Sequence, residues 1–330
     1  MKKSRKPTRT RKSAAFKKTA PPKKVASVKQ APASTGNLPI KVSNPDKLYW
    51  PDEGYTKLQL VEFYAAIFPK LKPYVDDRML SLERCPDGMR GGCFYQKEAP
   101  SSMPPGTPTV NIPLAGKKSR ESTNYVLGGS LATQLALANL GCIAVHVSGS
   151  RASFLRKPDW LCFDLDPQTG KFSDAARAGL YLKEVLDALK LESFPKTSGS
   201  RGLHIFIPLR PVTPVEDVLR FAESVAARLA AQHPKELTVE HSIAARGQRV
   251  YVDAYRNGFA QTVVSPYSVR RRPKASFSMP LAWPDVRPTL DPSEFNIGNY
   301  QRVLVGADPW KDFFKSRQSL TAAIKALKKI

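Results

Sequence analysis

A chain of 330 residues with 42% hydrophobic content is long enough to bury the core of one large domain or two modest ones, and no apolar run approaches the roughly 20 residues of a membrane-spanning helix. A formal net charge of +24 favours polyanionic partners, because each neutralised phosphate releases counterions; nucleic acid leads, and an anionic membrane surface is a distant second. The four cysteines, Cys85, Cys93, Cys142 and Cys162, form no Cys-x-x-Cys pair, which argues for a reducing compartment with no disulfide framework and no zinc site.

Residues 1–36 hold about a dozen Lys and Arg and no acid, about half of the surplus charge. With almost no aromatic residue, this stretch cannot offset the entropy of ordering and is expected to be a disordered basic arm. It lacks the apolar core of a secretory signal, and its Lys-rich, Pro-broken pattern makes a poor amphipathic transit peptide; the expected location is cytoplasmic, associated with the nucleoid and not secreted. Residues 37–330 are expected to fold as one domain.

Asn44-Pro45-Asp46-Lys47 and Pro51-Asp52-Glu53-Gly54 read as turns. Thr56, with Gln59 three residues later, predicts a capping box opening a helix with Leu60, Phe63, Tyr64 and Ile67 on one face, ended by Pro69 and Pro73. Met79–Arg84 and Gly92–Lys97 predict a hairpin around Pro86-Asp87-Gly88. It carries Arg84, Phe94, Tyr95 and Lys97, a mixture that can stack on bases while holding phosphates, although a half-buried hairpin shows the same mixture. Residues 99–120, rich in Pro, Ser and Gly, predict a mobile surface loop. Leu127–Leu140 reads as a helix with Leu131, Leu135 and Ala138 inward, and Cys142–Val147 as a buried strand with His146 at its end.

Trp160-Leu161-Cys162-Phe163-Asp164-Leu165-Asp166-Pro167 predicts a strand. Alternate side chains share a face, so Asp164 and Asp166 point the same way, about 7 Å apart. Mutual repulsion favours a cation between them, and hard carboxylate oxygens suit Mg²⁺ or Mn²⁺; a bare Asp-x-Asp is otherwise an exposed strand end. Ser173–Leu189 predicts a helix with Ala176, Leu180, Val185 and Leu189 toward a sheet. Next, Thr197-Ser198-Gly199-Ser200-Arg201-Gly202-Leu203-His204 joins hydroxyls, glycines and Arg201 in a turn that runs into a strand, the composition of a nest for nucleotide phosphates. Pro214–Gln232 reads as a helix. The basic turn Arg246-Gly247-Gln248-Arg249 enters a strand, Val250–Asp253, with Tyr251 and Asp253 on one face, where Asp253 can supply a third carboxylate. Ala260–Ser265 continues as strand, Ser268–Pro273 is a basic run read as a phosphate track more than a solvated edge, and Trp310–Ile330 predicts a basic helix with Leu320, Ile324 and Leu327 buried. Strand and helix alternate, which implies a mixed α/β fold.

Asp164-Leu165-Asp166, the Ser198–His204 turn and Asp253, in that order, resemble the archaeo-eukaryotic primase superfamily, and more closely the polymerase domain of bacterial ligase D, the end-joining repair enzyme. The likeness runs from about residue 40 to the C-terminus. It takes in Asn44-Pro45-Asp46-Lys47, Phe94-Tyr95-Gln96-Lys97, Phe163-Asp164-Leu165-Asp166-Pro167, Ser265-Pro266-Tyr267-Ser268, Asp308-Pro309-Trp310 and Arg317-Gln318-Ser319-Leu320. The resemblance implies a primase-polymerase fold, a central mixed sheet flanked by helices, and template-directed nucleotide addition at gaps and double-strand breaks, often with ribonucleotides. It implies that Asp164, Asp166 and Asp253 hold two Mg²⁺ or Mn²⁺ ions, and that Ser198, Arg201, His204 and Arg246 bind the phosphates of an NTP or dNTP. It further implies that His146 lies near the nucleotide sugar or template, that Lys47 and Lys57 grip a 5′-phosphate of gapped or broken DNA, and that Tyr95 or Phe94 stacks on a base. Ku and a DNA ligase are the candidate protein partners. Two positions depart from the family: Arg201 stands where many relatives have Lys, which preserves phosphate binding, and Ala254 stands where relatives often have an aromatic. With no recognisable ligase or nuclease segment, the sequence reads as a stand-alone polymerase or an excised module, and its basic arm favours the former.

Two other classes compete: a non-catalytic basic protein that bridges DNA ends with the same fold, and a two-metal nuclease. The first does not need clustered acids beside a phosphate turn, and the second does not explain the turn. Deleting residues 1–36 should weaken DNA binding and flatten its dependence on salt, read by fluorescence anisotropy from low to high ionic strength; an unchanged salt slope would remove the arm from the interface.

Overall fold

Side chains alternate across an extended chain, and the strand Trp160–Pro167 uses both of its faces. Leu161, Phe163 and Leu165 pack into one hydrophobic core, while Trp160 and Cys162 belong to another. Asp164 and Asp166 continue the second series and open on a cleft. The computed structural model describes residues 38–113 and 122–327; the expected basic arm lies outside them.

Trp160–Pro167 is the middle strand of a five-stranded sheet. The order is Leu237–Thr238, Val250–Asp253, Trp160–Pro167, Leu203–Pro208, Phe194–Thr197; the first pair is parallel and the others antiparallel. Helices Phe172–Ala188 and Val215–Gln232 pack on one face. A second, wholly antiparallel sheet runs in the order Thr262–Val264, Cys142–Ser148, Leu80–Arg84, Phe94–Gln96, and helices Lys57–Val75 and Leu131–Asn139 share its core. The expected central mixed sheet flanked by helices is therefore present, with a second sheet beside it.

A buried charge cluster ties the two halves. Arg78, just before Leu80–Arg84, donates to Asp159, just before Trp160–Pro167, at 2.6 Å, and its guanidinium lies 3.4 Å from the centre of the Trp160 ring. Arg151 meets the other oxygen of Asp159 at 2.9 Å. Burial pushes Arg78 down to about 10, against the opposing pull of Asp159.

Several sequence expectations are corrected. The Thr56–Gln59 capping box is present, but Pro69 and Pro73 sit inside Lys57–Val75 and do not end it. Each proline forfeits a helical hydrogen bond at a cost of about 3 kcal/mol. Burying Phe68, Leu71, Tyr74 and Val75 returns roughly 1.5–3 kcal/mol apiece, and Arg151 donates to the carbonyl of Asp76 beyond the last turn at 2.7 Å. The 99–120 segment is not simply a loop: Thr109–Pro113 pairs antiparallel with Ser122–Val126, because Ile112 and Tyr125 share a small core with Met79; residues 114–121 lie outside the described set. The helix expected from Leu127 begins at Leu131, capped by Ser130. Leu180 is 38% exposed. The buried stripe of its helix runs through Gly179, where a Cβ would come within 2.4 Å of Leu203 Cδ2, so the helix rests on the sheet by its smallest residue. Among the described residues of the tail only Thr321–Leu327 is helical. Trp310 and Phe313 are drawn into an aromatic cluster with Tyr74, Phe194 and Phe206, and Trp310 Nε1 donates to the carbonyl of Pro195 at 3.0 Å.

The cysteine expectation also fails. Cys85 and Cys93 form a disulfide with a Cα separation of 4.4 Å. Arg84 and Phe94 are opposed in the antiparallel hairpin, so the next pair outward meets across it. The reducing compartment expected from unpaired cysteines loses that support; Cys142 and Cys162 are buried thiols.

Asp159→Asn removes the charge that compensates Arg78 and Arg151. Urea denaturation is expected to show a loss of roughly 3–5 kcal/mol; a loss below about 1 kcal/mol would show that the cluster does not tie the two halves.

Candidate active site

Strand register builds the site. Asp164 faces Asp253 on one neighbouring strand and His204 on the other, and His204 faces Lys196 on the next. Directly opposed residues sit about 5 Å apart, so Asp253, Asp164, His204 and Lys196 form one row across four strands. His204 Nε2 lies 3.2 Å from Asp164 Oδ1, and Lys196 Nζ lies 2.9 Å from His204 Nδ1. Asp166 comes one pleat further along, opposite Tyr251.

Arg256 closes the acidic end of the row. Its Nε is 3.0 Å from Asp253 Oδ2 and 3.8 Å from Asp164 Oδ2. The short helical turn Tyr255–Asn257 that carries it is pinned by Asn257, whose side-chain amide accepts from Cys162 N–H at 2.7 Å and donates to Cys162 C=O at 2.8 Å. That amide takes the ladder position left open beyond the end of Val250–Asp253. Tyr255 N–H donates to Asp253 Oδ1 at 2.8 Å, fixing the carboxylate as well.

Charge within the row is uneven. Burial pushes Asp164 up, but the His204 ring, Arg256 and Lys196 outweigh it and hold this carboxyl well below the usual range. Burial, then the charge of Asp164, raises both Asp166 and Asp253. Burial, reinforced by Lys196, lowers His204 to about 4, so its ring is neutral near pH 7. Burial lowers Lys196 to about 7. Two carboxyls strained upward by a third mark a place short of positive charge. Asp164, Asp166 and Asp253 are the hard-oxygen donors for a divalent metal. Among the described residues no three acid, His or Cys side chains converge as a ready metal cluster; the Arg256 guanidinium bridges two of the three acids.

The expected phosphate turn borders the same cleft. Ser198 Oγ accepts from the N–H groups of Ser200 (3.2 Å) and Gly202 (3.1 Å), and Arg270 donates to the Ser198 carbonyl at 2.8 Å. Gly199 has φ +70°, and a Cβ there would lie 2.7 Å from Arg270 Cγ, so this position admits only glycine without rearrangement. The basic run therefore divides its tasks: Arg270 braces the turn, Arg271 pairs with Glu83 at 2.9 Å, and Arg272 opens on the cleft.

The cleft holds about 490 Å³, within the range of a nucleotide-sized site. It brings together Tyr95, Lys97, His146, Asp164, Asp166, Ser198, Arg201 and His204. His146 packs edge-on to Tyr95; burial and then Arg270 and Arg256 push its pKa well down, and its Nε2 has no partner among the described residues. A smaller cavity of about 250 Å³ shares Asp164, Asp166 and Arg256 and adds Asp253 and Arg246. Arg246 stacks 3.7 Å over Tyr251, donates to the carbonyls of Glu240 and His241, and reaches Asp166 only at 4.0 Å.

Other expected residues lie outside both cavities. Lys57 donates to Ser43 Oγ at 2.8 Å, and burial followed by Lys47 lowers its pKa; Lys47 pairs with Asp87. Arg84 is committed to the Leu140 carbonyl and Gln96. Phe94 is exposed, beside Tyr95, which does line the cleft and is 61% exposed. Sequence reasoning missed Lys196, Arg256, Asn257 and the bracing role of Arg270. Arg256 alone left a signal, three residues beyond Asp253 on a turn; the others depend on sheet register and long-range contact.

Comparison with known proteins gives concordant results. The family described as LigD, primase-polymerase domain, matches residues 56–310. The chain is 29% identical over 300 residues to the multifunctional non-homologous end joining protein LigD of Pseudomonas aeruginosa, covering 87% of this chain and 34% of that protein. It is 28% identical over 295 residues to the bifunctional non-homologous end joining protein LigD of Bacillus subtilis, covering 88% and 47%. It thus spans less than half the length of these curated relatives. Among solved structures, the polymerase domain from Mycobacterium tuberculosis ligase D in complex with DNA matches with a TM-score of 0.73 and 25% identity, over 84% of this chain and 99% of that one.

Proposed function

The chain belongs to the LigD primase-polymerase family, and from that premise we propose that it is a metal-dependent, template-directed nucleotidyltransferase that fills gaps and ends during double-strand break repair by non-homologous end joining. The observation that carries this reading is the convergence of the Asp164, Asp166 and Asp253 carboxylates with the Ser198–His204 turn around one pair of adjoining cavities. A charge-poor acidic cluster beside a preorganised phosphate turn suits phosphoryl chemistry.

Asp164, Asp166 and Asp253 would hold two Mg²⁺ or Mn²⁺ ions, which when bound activate a primer 3′-hydroxyl and neutralise the triphosphate. The donor set fits, being all hard oxygen, and Arg256 already bridges two of the three acids as a cation. Ser198, Arg201 and His204 bind the phosphates of the incoming NTP or dNTP, with Arg246 at the Asp166 side, and His146 faces the sugar or template. Tyr95, with Phe94 beside it, stacks on a base; Arg84 and Lys97 follow the DNA backbone. Lys47 and Lys57 take the downstream 5′-phosphate, a role supported by two neighbouring cations, Lys57 being lowered first by burial and then by Lys47. DNA is the principal partner, and Ku and a DNA ligase are the protein partners. No described helix is long and apolar enough to cross a membrane, and a cytoplasmic, nucleoid-associated location follows from DNA as the substrate.

The test uses labelled primer on gapped DNA with NTP or dNTP and Mn²⁺. The wild type is expected to lengthen the primer. Asp164→Ala should slow addition about 100-fold or more while still shifting the DNA on a gel, and gaps with a 5′-phosphate should bind more tightly than 5′-hydroxyl gaps. Shortening of the primer by the wild type, a shift without extension, or normal extension by Asp164→Ala would overturn the reading. Equal affinity for the two gaps would remove Lys47 and Lys57 from the 5′-phosphate.

A further inference from the structure

A third cavity, of about 550 Å³, adjoins the cleft. Lys171, Arg201, Arg272 and Lys274 line it, against a single carboxylate, Asp291. That carboxylate is already engaged, accepting from the Ser293 amide at 2.9 Å and from the Ser293 hydroxyl at 2.7 Å. Lys274 Nζ reaches the same hydroxyl at 2.9 Å and Asp291 at 4.0 Å. Among the described residues, the side chains of Lys171, Arg201 and Arg272 make no hydrogen bond or ion pair. The backbone holds this wall in an unusual shape. Lys274 and Ala275 take φ +63° and +50°, a region that residues with a Cβ rarely occupy. Glu53 accepts from the Lys274 amide at 2.5 Å, and Trp50 Nε1 donates to the Arg272 carbonyl at 2.9 Å, so the basic loop is anchored from a distant part of the chain. At Gly170 a Cβ would lie 2.8 Å from Arg201 Nη1, so the missing side chain lets the guanidinium rest against that loop. Burial, then the charges of Arg270, Arg201 and Arg271, lowers Arg272; like charges gathered without a counter-ion make a place for an anion.

Ser200, Arg201 and Arg272 line both this cavity and the cleft, so an anion held at the phosphate turn can pass from one to the other without leaving positive charge. Nucleotidyl transfer joins the primer oxygen to the α-phosphorus, breaks the bond from that phosphorus to the oxygen of the β-phosphate, and frees pyrophosphate. We propose that the third cavity is a pyrophosphate subsite, in which Lys171 and Lys274 bind the anion and Arg201 and Arg272 hand it over from the cleft. This rests on the nucleotidyl-transfer reading for the source of the pyrophosphate but not for its binding. A nucleic-acid strand suits the cavity less well. Its bases need exposed aromatic faces to stack on, and the one aromatic among the lining residues, Phe172, is 7% exposed.

The experiment is calorimetric titration of the whole chain with inorganic pyrophosphate, without nucleotide, DNA or divalent metal. The variant carries Lys171→Gln and Lys274→Gln; both lysines are exposed and neither lines the cleft. It is expected to bind pyrophosphate about tenfold more weakly than wild type, from the loss of two charged donors. Its affinity for a single-stranded oligothymidylate, read by fluorescence anisotropy, should stay within about twofold. In primer extension, inhibition by added pyrophosphate should weaken by the same factor of about ten, with KM for the nucleotide within about twofold of wild type. Wild-type affinity for pyrophosphate in the variant overturns the proposal. So does an equal loss of oligothymidylate binding, which would assign the cavity to a strand, or an equal rise in KM, which would make it part of the nucleotide site. Calorimetry does not depend on turnover: a wild type that extends no primer defeats the nucleotidyl-transfer reading, and the titration still decides whether the cavity holds pyrophosphate.

Discussion

Two carboxylates facing each other across adjacent strands, Asp164 and Asp253, are the constraint on which the rest of the molecule depends. Like charges directly opposed destabilise a sheet, yet this pair occupies its centre. Around it stand the His204 ring and then Lys196 on one side, with Arg256 on the other. A one-residue slip in any of these strands would turn the row to the helix-covered face. Much of the surrounding structure resists such a slip: Leu161, Phe163 and Leu165 are anchored in the helix-side core, and Asn257 completes the ladder against Cys162.

The phosphate turn obeys the same economy. Its serine hydroxyl is consumed by two amides of the turn itself, and its carbonyl is held by Arg270. The backbone is therefore set before any ligand arrives, which is how fixed dipoles act most strongly on developing or bound charge. The second sheet contributes the opposite wall through His146 and Tyr95, and the Arg78–Asp159 contact joins that sheet to the strand carrying Asp164. Fold and candidate site are thus coupled through residues adjacent to the strand Trp160–Pro167 and not through the site itself.

Much of this was legible in the sequence wherever the signal is local. Period-two alternation separated Asp164 and Asp166 from Leu165, and Val252 from Asp253; the Thr56–Gln59 box marked a helix start; the Ser198–Gly202 composition announced a turn. What escaped is what depends on distant partners. No window of sequence shows that His204 lies opposite Asp164 or that Lys196 lies beside His204, because register is settled by the packing of whole strands. Proline rules failed at Pro69 and Pro73, where burial of the aromatic face overrides local preference. Leu180 was misplaced because the stripe that meets the sheet runs through Ala175, Gly179, Leu182 and Leu186, one position away from it. The Cys85–Cys93 pair had a signal, eight residues apart around Pro86-Asp87-Gly88, but reading it required the hairpin register.

Asp164, Asp166 and Asp253 are proposed as a cradle for a divalent cation, in whose place Arg256 bridges two of the three acids. Counting free Mn²⁺ by electron paramagnetic resonance, without nucleotide or DNA, tests this directly. Arg256→Gln should bind Mn²⁺ about tenfold more tightly than wild type, equivalent to about 1.4 kcal/mol, and Asp164→Asn should bind it far more weakly. Wild-type affinity in Asp164→Asn, or weaker binding in Arg256→Gln, would contradict the account.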